Sequence, residues 1–281
     1  MTDEQSRWVT GAGGWVEHEA VFDAVFTPVT EALLATARIG AGERVLDVGC
    51  GTGTLLAAAV EAGATPVGLD ISPVMAEAAR RRVGSARVVV ADAQTADVTG
   101  LGGPFDAIVS RFGVMFFDDP VAAFGNIRRA AAPGGRLAFA CWRTRAENPM
   151  FSLGSDILIG RVDPPLAVPD PEGPGPTAFG RIERLREVLD GAGWAEVEVR
   201  RLDFVCDYGR DGTDGVENRL ATLLSITSGQ DARRILEPQL GATGWSDLLD
   251  EIREELRGHL VDGVLRFPGA VWILTAVNPA G

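Results

Sequence analysis

One stretch constrains this chain more than any other: Arg44-Val45-Leu46-Asp47-Val48-Gly49-Cys50-Gly51-Thr52-Gly53-Thr54. Residues 45–48 read as a short buried strand that runs into a glycine-dense turn and then a helix over about 54–61. A parallel strand buried on both faces is a continuous apolar run, so Asp47 is out of place near its end. Glycines at 49, 51 and 53 permit positive φ and bring bare backbone up to a ligand. Dinucleotide-binding folds also put glycines after their first strand. Here, however, Thr54 stands where G-x-G-x-x-G needs its third glycine, and Asp47 would face a pyrophosphate with like charge.

Around this stretch, apolar runs alternate with helical patterns, which predicts a parallel sheet covered on both faces. Residues 66–70, 87–91, 105–110 and 136–141 read as strands two to five. Ser72-Pro73 opens a helix to about 82 and Asp119-Pro120 one to about 131, each a cap followed by a first-turn proline. A polar stretch over 94–103 offers only a poorly formed helix. Upstream, Phe22, Val25, Phe26, Val29 and Leu33 recur at helical spacing. Thr27-Pro28 reads as a cap and first-turn proline, which predicts helices over 15–26 and 28–37 after a flexible lead-in over 1–14. Past the fifth strand, 144–180 is a Pro/Gly-rich surface segment with one helix near 150–161. Then come a helix over 181–189, a sixth strand over 196–203, an insert with two or three helices, and a seventh strand over 267–276. The expected organisation is one domain over 1–281: a helical cap (1–39), a core (40–143), the loop segment (144–180), closing strands (181–205 and 264–281) and a helical lid (206–263).

Composition narrows the function classes. The net charge is −13 and there is no lysine, so all 26 basic residues are arginine. An acidic chain is poorly suited to generic nucleic-acid or anionic-membrane binding, and the lack of lysine excludes a Schiff base or a P-loop lysine. Cys50, Cys141 and Cys206 are far apart with no CxxC pair, so neither a metal site nor a disulfide framework is expected. The polar N-terminus has no hydrophobic h-region and no apolar run approaches about 18 residues, so a cytoplasmic protein without a membrane span is expected.

The acid-x-Gly-x-Gly-x-Gly stretch resembles, at every position, the first motif of the class I S-adenosylmethionine (SAM) methyltransferases. Ser110-Arg111-Phe112-Gly113-Val114-Met115-Phe116-Phe117 and Cys141-Trp142-Arg143 look like the post-strand segments of their UbiE-like small-molecule group. The resemblance is strong over 40–143, weak over 181–205 and 264–277, and slight in the inserts. It implies a Rossmann-like, doubly wound, seven-stranded sheet, mostly parallel with an antiparallel last strand, carrying a helical lid. It also implies SAM as cofactor and S-adenosylhomocysteine as its product.

The cofactor-binding set implied is Asp47, Gly49, Cys50, Gly51, Thr52 and Gly53 in the loop, then Asp70, Ile71 and Met75, Asp92 and Ala93, and Ser110, Arg111, Phe112 and Met115. SAM carries no phosphate, so Asp47 can bind its ammonium directly or through water. Asp70 can accept both ribose hydroxyls, and the family uses an acid and a backbone amide at the level of Asp92 and Ala93 for the adenine. Singly, Asp70 also reads as a cap acid, though Ser72 fills that role, and Asp92 as a solvated loop acid. Three acids at the carboxyl ends of three consecutive strands point to a ligand, because open α/β sheets bind there. Phe112, Val114, Met115, Phe116 and Phe117 also read as core, with at least one of Phe116 and Phe117 expected to be only that. Trp8 and Trp15 read either as anchors or as an aromatic face for the sulfonium.

Candidates for acceptor chemistry are few. His18, His259 and Arg143 are the catalytic candidates; each histidine also reads as a surface or packing residue, and Arg143 as half of a salt bridge. Tyr208, the only tyrosine, is a further polar candidate. The expected activity is methyl transfer to the O, C or N of a small, largely apolar acceptor, driven mainly by proximity and orientation. A SAM-binding protein with other chemistry and a nicotinamide oxidoreductase are the alternatives, and the oligomeric state stays open.

Overall fold

The computed structural model describes residues 3–166 and 170–280, with side chains from Val9 onward except Thr10; the side chain of Trp8 lies outside the described residues. The elements run α1 (Asp3–Glu17), α2 (Glu19–Ala37), β1 (Arg44–Val48), α3 (Thr54–Glu61), β2 (Thr65–Asp70), α4 (Pro73–Arg82), β3 (Arg87–Val90), β4 (Phe105–Arg111), α5 (Pro120–Ala130) and β5 (Ala131–Trp142). They continue with α6 (Ser155–Gly160), α7 (Ile182–Gly191), β6 (Ala195–Asp207), α8 (Val216–Ser225), α9 (Thr227–Arg257), β7 (Leu260–Val261) and β8 (Val264–Val277).

The strand order is β3-β2-β1-β4-β5-β8-β6, with β8 antiparallel to both neighbours and the other pairs parallel. This is the expected seven-stranded path. The two-residue β7, which folds back on β8, is an eighth strand too short to leave an apolar run in the sequence. Helices α2, α3 and α4 form one layer, and α5 and α7 pack on each other against the other side of the sheet. Burial explains the strands: Val45 to Val48 are buried at every position, as a central strand requires. Ser72 accepts from the Met75 amide and Asp119 from the Ala122 amide, so both caps form as their sequence signals predict.

Two expectations about the cap are corrected. Residues 3–17 are a helix rather than a flexible lead-in, and the break falls at His18 rather than at Thr27-Pro28. Gly11 and Gly14 stand inside α1 against glycine's poor helix propensity because tertiary packing leaves no room for a side chain there. A Cβ on Gly14 would come within 2.3 Å of the Ser225 carbonyl oxygen, and one on Gly11 within 2.7 Å of Thr227 Oγ1, so small residues let α1 dock on the α8–α9 junction. Pro28 sits inside α2, where Thr27 Oγ1 donates to the Asp23 carbonyl and an unbroken buried row (Phe22, Val25, Phe26, Val29, Leu33, Ala37) holds the helix to the sheet. That packing outweighs the roughly 3 kcal/mol local penalty of an interior proline.

With 19 residues and a mean hydropathy of 1.3, α2 is also long and apolar enough to cross a membrane on those measures. The expectation that no run approaches that length therefore misses it. In the fold α2 carries Asp23 ion-paired to arginines and its apolar row packed against β4, β5, β6 and β8, the position of a core helix. The polar stretch before β4 holds a single 3₁₀ turn, Thr99–Leu101. The insert resolves into α8 and α9, the latter kinked at Gly241 (φ 66, ψ 178) after Pro238. Helix α8 contacts α1 and α2, and α9 contacts α1 and α6, so the insert and the cap together roof the carboxyl edge of the sheet.

Candidate active site

The order of strand addition reverses between β1 and the parallel β4, adjacent in the sheet but far apart in sequence, and a crevice opens outside their carboxyl ends. A cavity of about 370 Å³ occupies it. Its floor is the glycine turn: Gly49, Gly51 and Gly53 all have positive φ, and a Cβ on Gly51 would meet nothing within 4 Å, so that backbone faces open space. Gly49 and Cys50 both donate to the Leu69 carbonyl, which fastens the turn to β2. Ser110 does not reach the cavity. Its hydroxyl donates to the Val48 carbonyl (2.6 Å) and accepts from the Gly113 amide (3.1 Å), so it braces the ends of β1 and β4. Gly53 also lies outside the lining, as the left-handed residue that starts α3.

The acids behave differently from one another. Asp47 is 1% exposed and neither carboxylate oxygen has a hydrogen-bond partner. Burial, opposed by Arg111 and reinforced by Asp70, pushes its carboxyl up to about 8. Asp70 is also buried, but its oxygens accept from the Gly51 and Ser72 amides, both at 2.8 Å. Burial raises it to about 6 against the pull of those two bonds. Asp92 closes an Asx turn, accepting from the Gln94 amide, and borders the cavity with Ala91 and Ala93. Cys50 lines the turn, and burial raises its thiol far above the ordinary range, so it stays protonated. Ile71 and Met75 complete that end.

Arg111 borders the cavity but is spent on structure: it donates to Thr30, Asp23 and Thr54, while Asp23 also pairs with Arg82. Arg111 and Arg82 hold Asp23 below the usual carboxylate range, although burial works against them. The cluster latches α2 to the first turn of α3. Opposite the acids the walls are aromatic. Phe112 adopts φ 67, a strained value for a bulky residue, and its ring lies parallel to Trp142 at 4.5 Å. Phe26 meets both rings edge-on, and Trp15 stacks on Phe22 at 3.9 Å. Met115, Phe116 and Phe117 all border the cavity, so neither phenylalanine is packing alone, though Phe117 also meets Phe124 in the core.

The three catalytic candidates are not at this cavity. His18 faces a separate hollow with Glu17, Gln230 and Glu237, because the break between α1 and α2 turns it away from the crevice. His259 is exposed past the end of α9. Arg143 is buried against Trp272 and ion-paired with Asp203 and Glu147, the salt-bridge role. Sequence reasoning missed Met150, Phe151, Arg219, Thr222 and Ile226, which segments distant in sequence bring to the lining. Arg219 did leave a signal, since it interrupts the apolar face of α8 beside Leu220 and Leu223.

Comparison with known proteins agrees with this geometry. The methyltransferase-domain family Methyltransf_11 matches residues 46–139. A demethylmenaquinone methyltransferase of Clavibacter sepedonicus is 33% identical over 171 residues, 58% of this chain and 69% of that protein. The chain belongs to the class I SAM-dependent methyltransferases. Aklanonic acid methyltransferase DauC of a Streptomyces species is 31% identical over 194 residues, 61% of this methyltransferase and 84% of DauC. Among solved structures, Haemonchus contortus phosphoethanolamine N-methyltransferase 2 bound to SAM superposes with a TM-score of 0.54 at 17% identity. It covers 99% of this chain and 60% of that one, a likeness of fold. The methyltransferase's own residues fit the cofactor: an unpartnered carboxylate at Asp47 and a side-chain-free backbone at Gly51 stand where an ammonium-bearing ligand needs an acceptor and room.

Proposed function

We propose that this methyltransferase acts on a small, largely apolar acceptor held against the aromatic wall, and that the acid-lined end of the same cavity holds SAM. In this reading Asp47 and the backbone of Gly49–Gly51 take the amino-acid head, Asp70 the ribose hydroxyls, and Asp92 with Ala93 the adenine. The observation that carries it is the unpartnered Asp47 carboxylate on the floor of the cavity. Desolvating a carboxylate without a partner is costly, and an ammonium removes that cost.

Bound SAM supplies a methyl group already activated by a positive sulfur. The protein's part is then to orient the acceptor and exclude water: the stacked Phe112 and Trp142, with Phe26 edge-on to both, present an apolar aromatic wall to the acceptor, and aromatic faces favour a nearby cation. No histidine borders the cavity among the described residues, which supports transfer by proximity rather than through a histidine base. Both His18→Ala and His259→Ala are therefore expected to keep turnover within about twofold of the parent; a loss of about 100-fold in either would restore a general base. The acidic surface and three buried free thiols support a cytoplasmic enzyme whose partners are small molecules rather than nucleic acid or membrane.

The direct test is thermal denaturation with SAM, S-adenosylhomocysteine and NAD. A ligand at 100 times its Kd stabilises by about 2.7 kcal/mol, or roughly 5–8 °C in a chain this size. A shift of that size with the first two and none with NAD is expected; stabilisation by NAD alone would remove this reading. Methylated product from a candidate acceptor then separates a transferase from a protein that only binds SAM.

A further inference from the structure

Helix α8 carries a single arginine on its buried face. Arg219 is 2% exposed, among the buried Val216, Leu220 and Leu223, yet it borders the cavity beside Thr222. Only part of its guanidinium is occupied. Nη2 donates to the carbonyls of Met150 (2.7 Å) and Leu153 (2.8 Å), while Nε has no partner. No carboxylate pairs with it among the described residues.

The neighbours do not supply a counter-charge. The rings of Tyr208 and Phe267 lie 5.8 and 5.9 Å from the guanidinium carbon. Burial pushes the Cys206 thiol up to about 12 and raises the Tyr208 phenol, so both stay neutral beside a cation that would otherwise favour their ionised forms. The acids of the cavity are placed elsewhere. Asp47, Asp70 and Asp92 stand at the strand ends, and Glu19 and Asp23 are paired with Arg82. A buried cation without an anion is costly and is retained where a ligand completes the pair.

We propose that Arg219 binds an anionic oxygen of the methyl acceptor, so that the substrate class is a ring-sized, apolar weak acid: a carboxylate or an ionised phenol or enol. This rests on the methyltransferase reading above and sharpens it, because the aromatic wall takes the apolar body while Arg219 takes the acidic end. An arginine fork gives orientation as well as affinity, since it offers paired donors in one plane. Methyl transfer in this site depends on how the acceptor is aimed, so the pairing bears directly on rate.

The test uses the intact protein and its cavity-lining Trp15 and Trp142 as fluorescent reporters, titrated with 2-naphthoate and its uncharged counterpart 2-naphthamide, with and without S-adenosylhomocysteine. The wild-type protein is expected to bind the naphthoate at least about tenfold more tightly. Arg219→Gln, which keeps a donor for Met150 and Leu153, should lose that preference with naphthamide binding unchanged. Arg219→Lys keeps the charge and should keep the preference, which guards against misreading a folding defect. Equal affinities in the wild-type protein, failure of both probes to bind, or a preference that survives in Arg219→Gln would each overturn the assignment. Binding of S-adenosylhomocysteine is read separately. Its loss in the wild-type protein would remove the SAM-site reading, whereas its retention without a naphthoate preference removes only the role of Arg219.

Discussion

Replacing Asp47 with asparagine is expected to weaken SAM and S-adenosylhomocysteine binding by about 100-fold while stabilising the ligand-free protein at pH 8. The two effects share one cause. In the folded chain burial pushes this carboxyl up to about 8 from an ordinary 3.8. Between those values the folded state holds a proton that the unfolded state has released, so stability falls as pH rises, by up to about 1.4 kcal/mol per pH unit. Asp70, raised to about 6, contributes in the same direction only below that value. Asparagine has no proton to lose, so the variant's stability should flatten between pH 6 and 8 where the parent's declines, as read from urea denaturation at pH 6, 7 and 8. Binding supplies the matching signature. An ammonium requires Asp47 charged, so cofactor binding at pH 7 should release a proton, which calorimetry in buffers of different ionisation enthalpy detects, and Asp47→Asn should abolish that release. An unchanged stability slope together with unchanged affinity would remove Asp47 from the site.

Gly113→Ala is expected to be nearly as damaging without touching any charge. A Cβ on Gly113 would lie 2.5 Å from the Val48 carbonyl oxygen and 2.7 Å from Gly49 Cα, and a Cβ on Gly49 would lie 2.6 Å from Gly113 Cα. The ends of β1 and β4 are thus in backbone contact, pinned by the Ser110 hydroxyl. Forcing them apart should cost about 2–3 kcal/mol, an overpacking penalty, and lower the melting temperature by about 5–10 °C. It should also weaken SAM binding at least tenfold, because the glycine turn moves with β1. Gly125→Ala is the control: nothing lies within 4 Å of its Cβ and it sits inside α5, so it should be neutral or stabilising. Equal stability of the two variants would refute the close-contact account.

Much of this was legible in the chain. The alternation of apolar runs with capped helices, and the acids at 47, 70 and 92, are local signals. A buried strand must be apolar whatever surrounds it, a helix end must satisfy its own amides, and an acid at the end of such a strand stands out against that background. The glycine turn with Asp47 was therefore enough to indicate the fold class and the kind of ligand. What lies across the cavity was decided by tertiary structure alone. Thr27-Pro28 reads as a helix start, yet packing of α2 on the sheet overrode it and moved the break to His18, which turned that histidine away from the crevice. Arg143 looked available until the fold set Asp203 and Glu147 against it. Arg219 and Phe151 reach the same cavity as Asp47 from segments more than 100 residues away along the chain, and such placement depends on how the insert helices dock. Short-range sequence carries the half of the site that each βα turn builds by itself. The aromatic half, with Arg219, exists only once α1, α2 and the α8–α9 insert pack over the sheet edge.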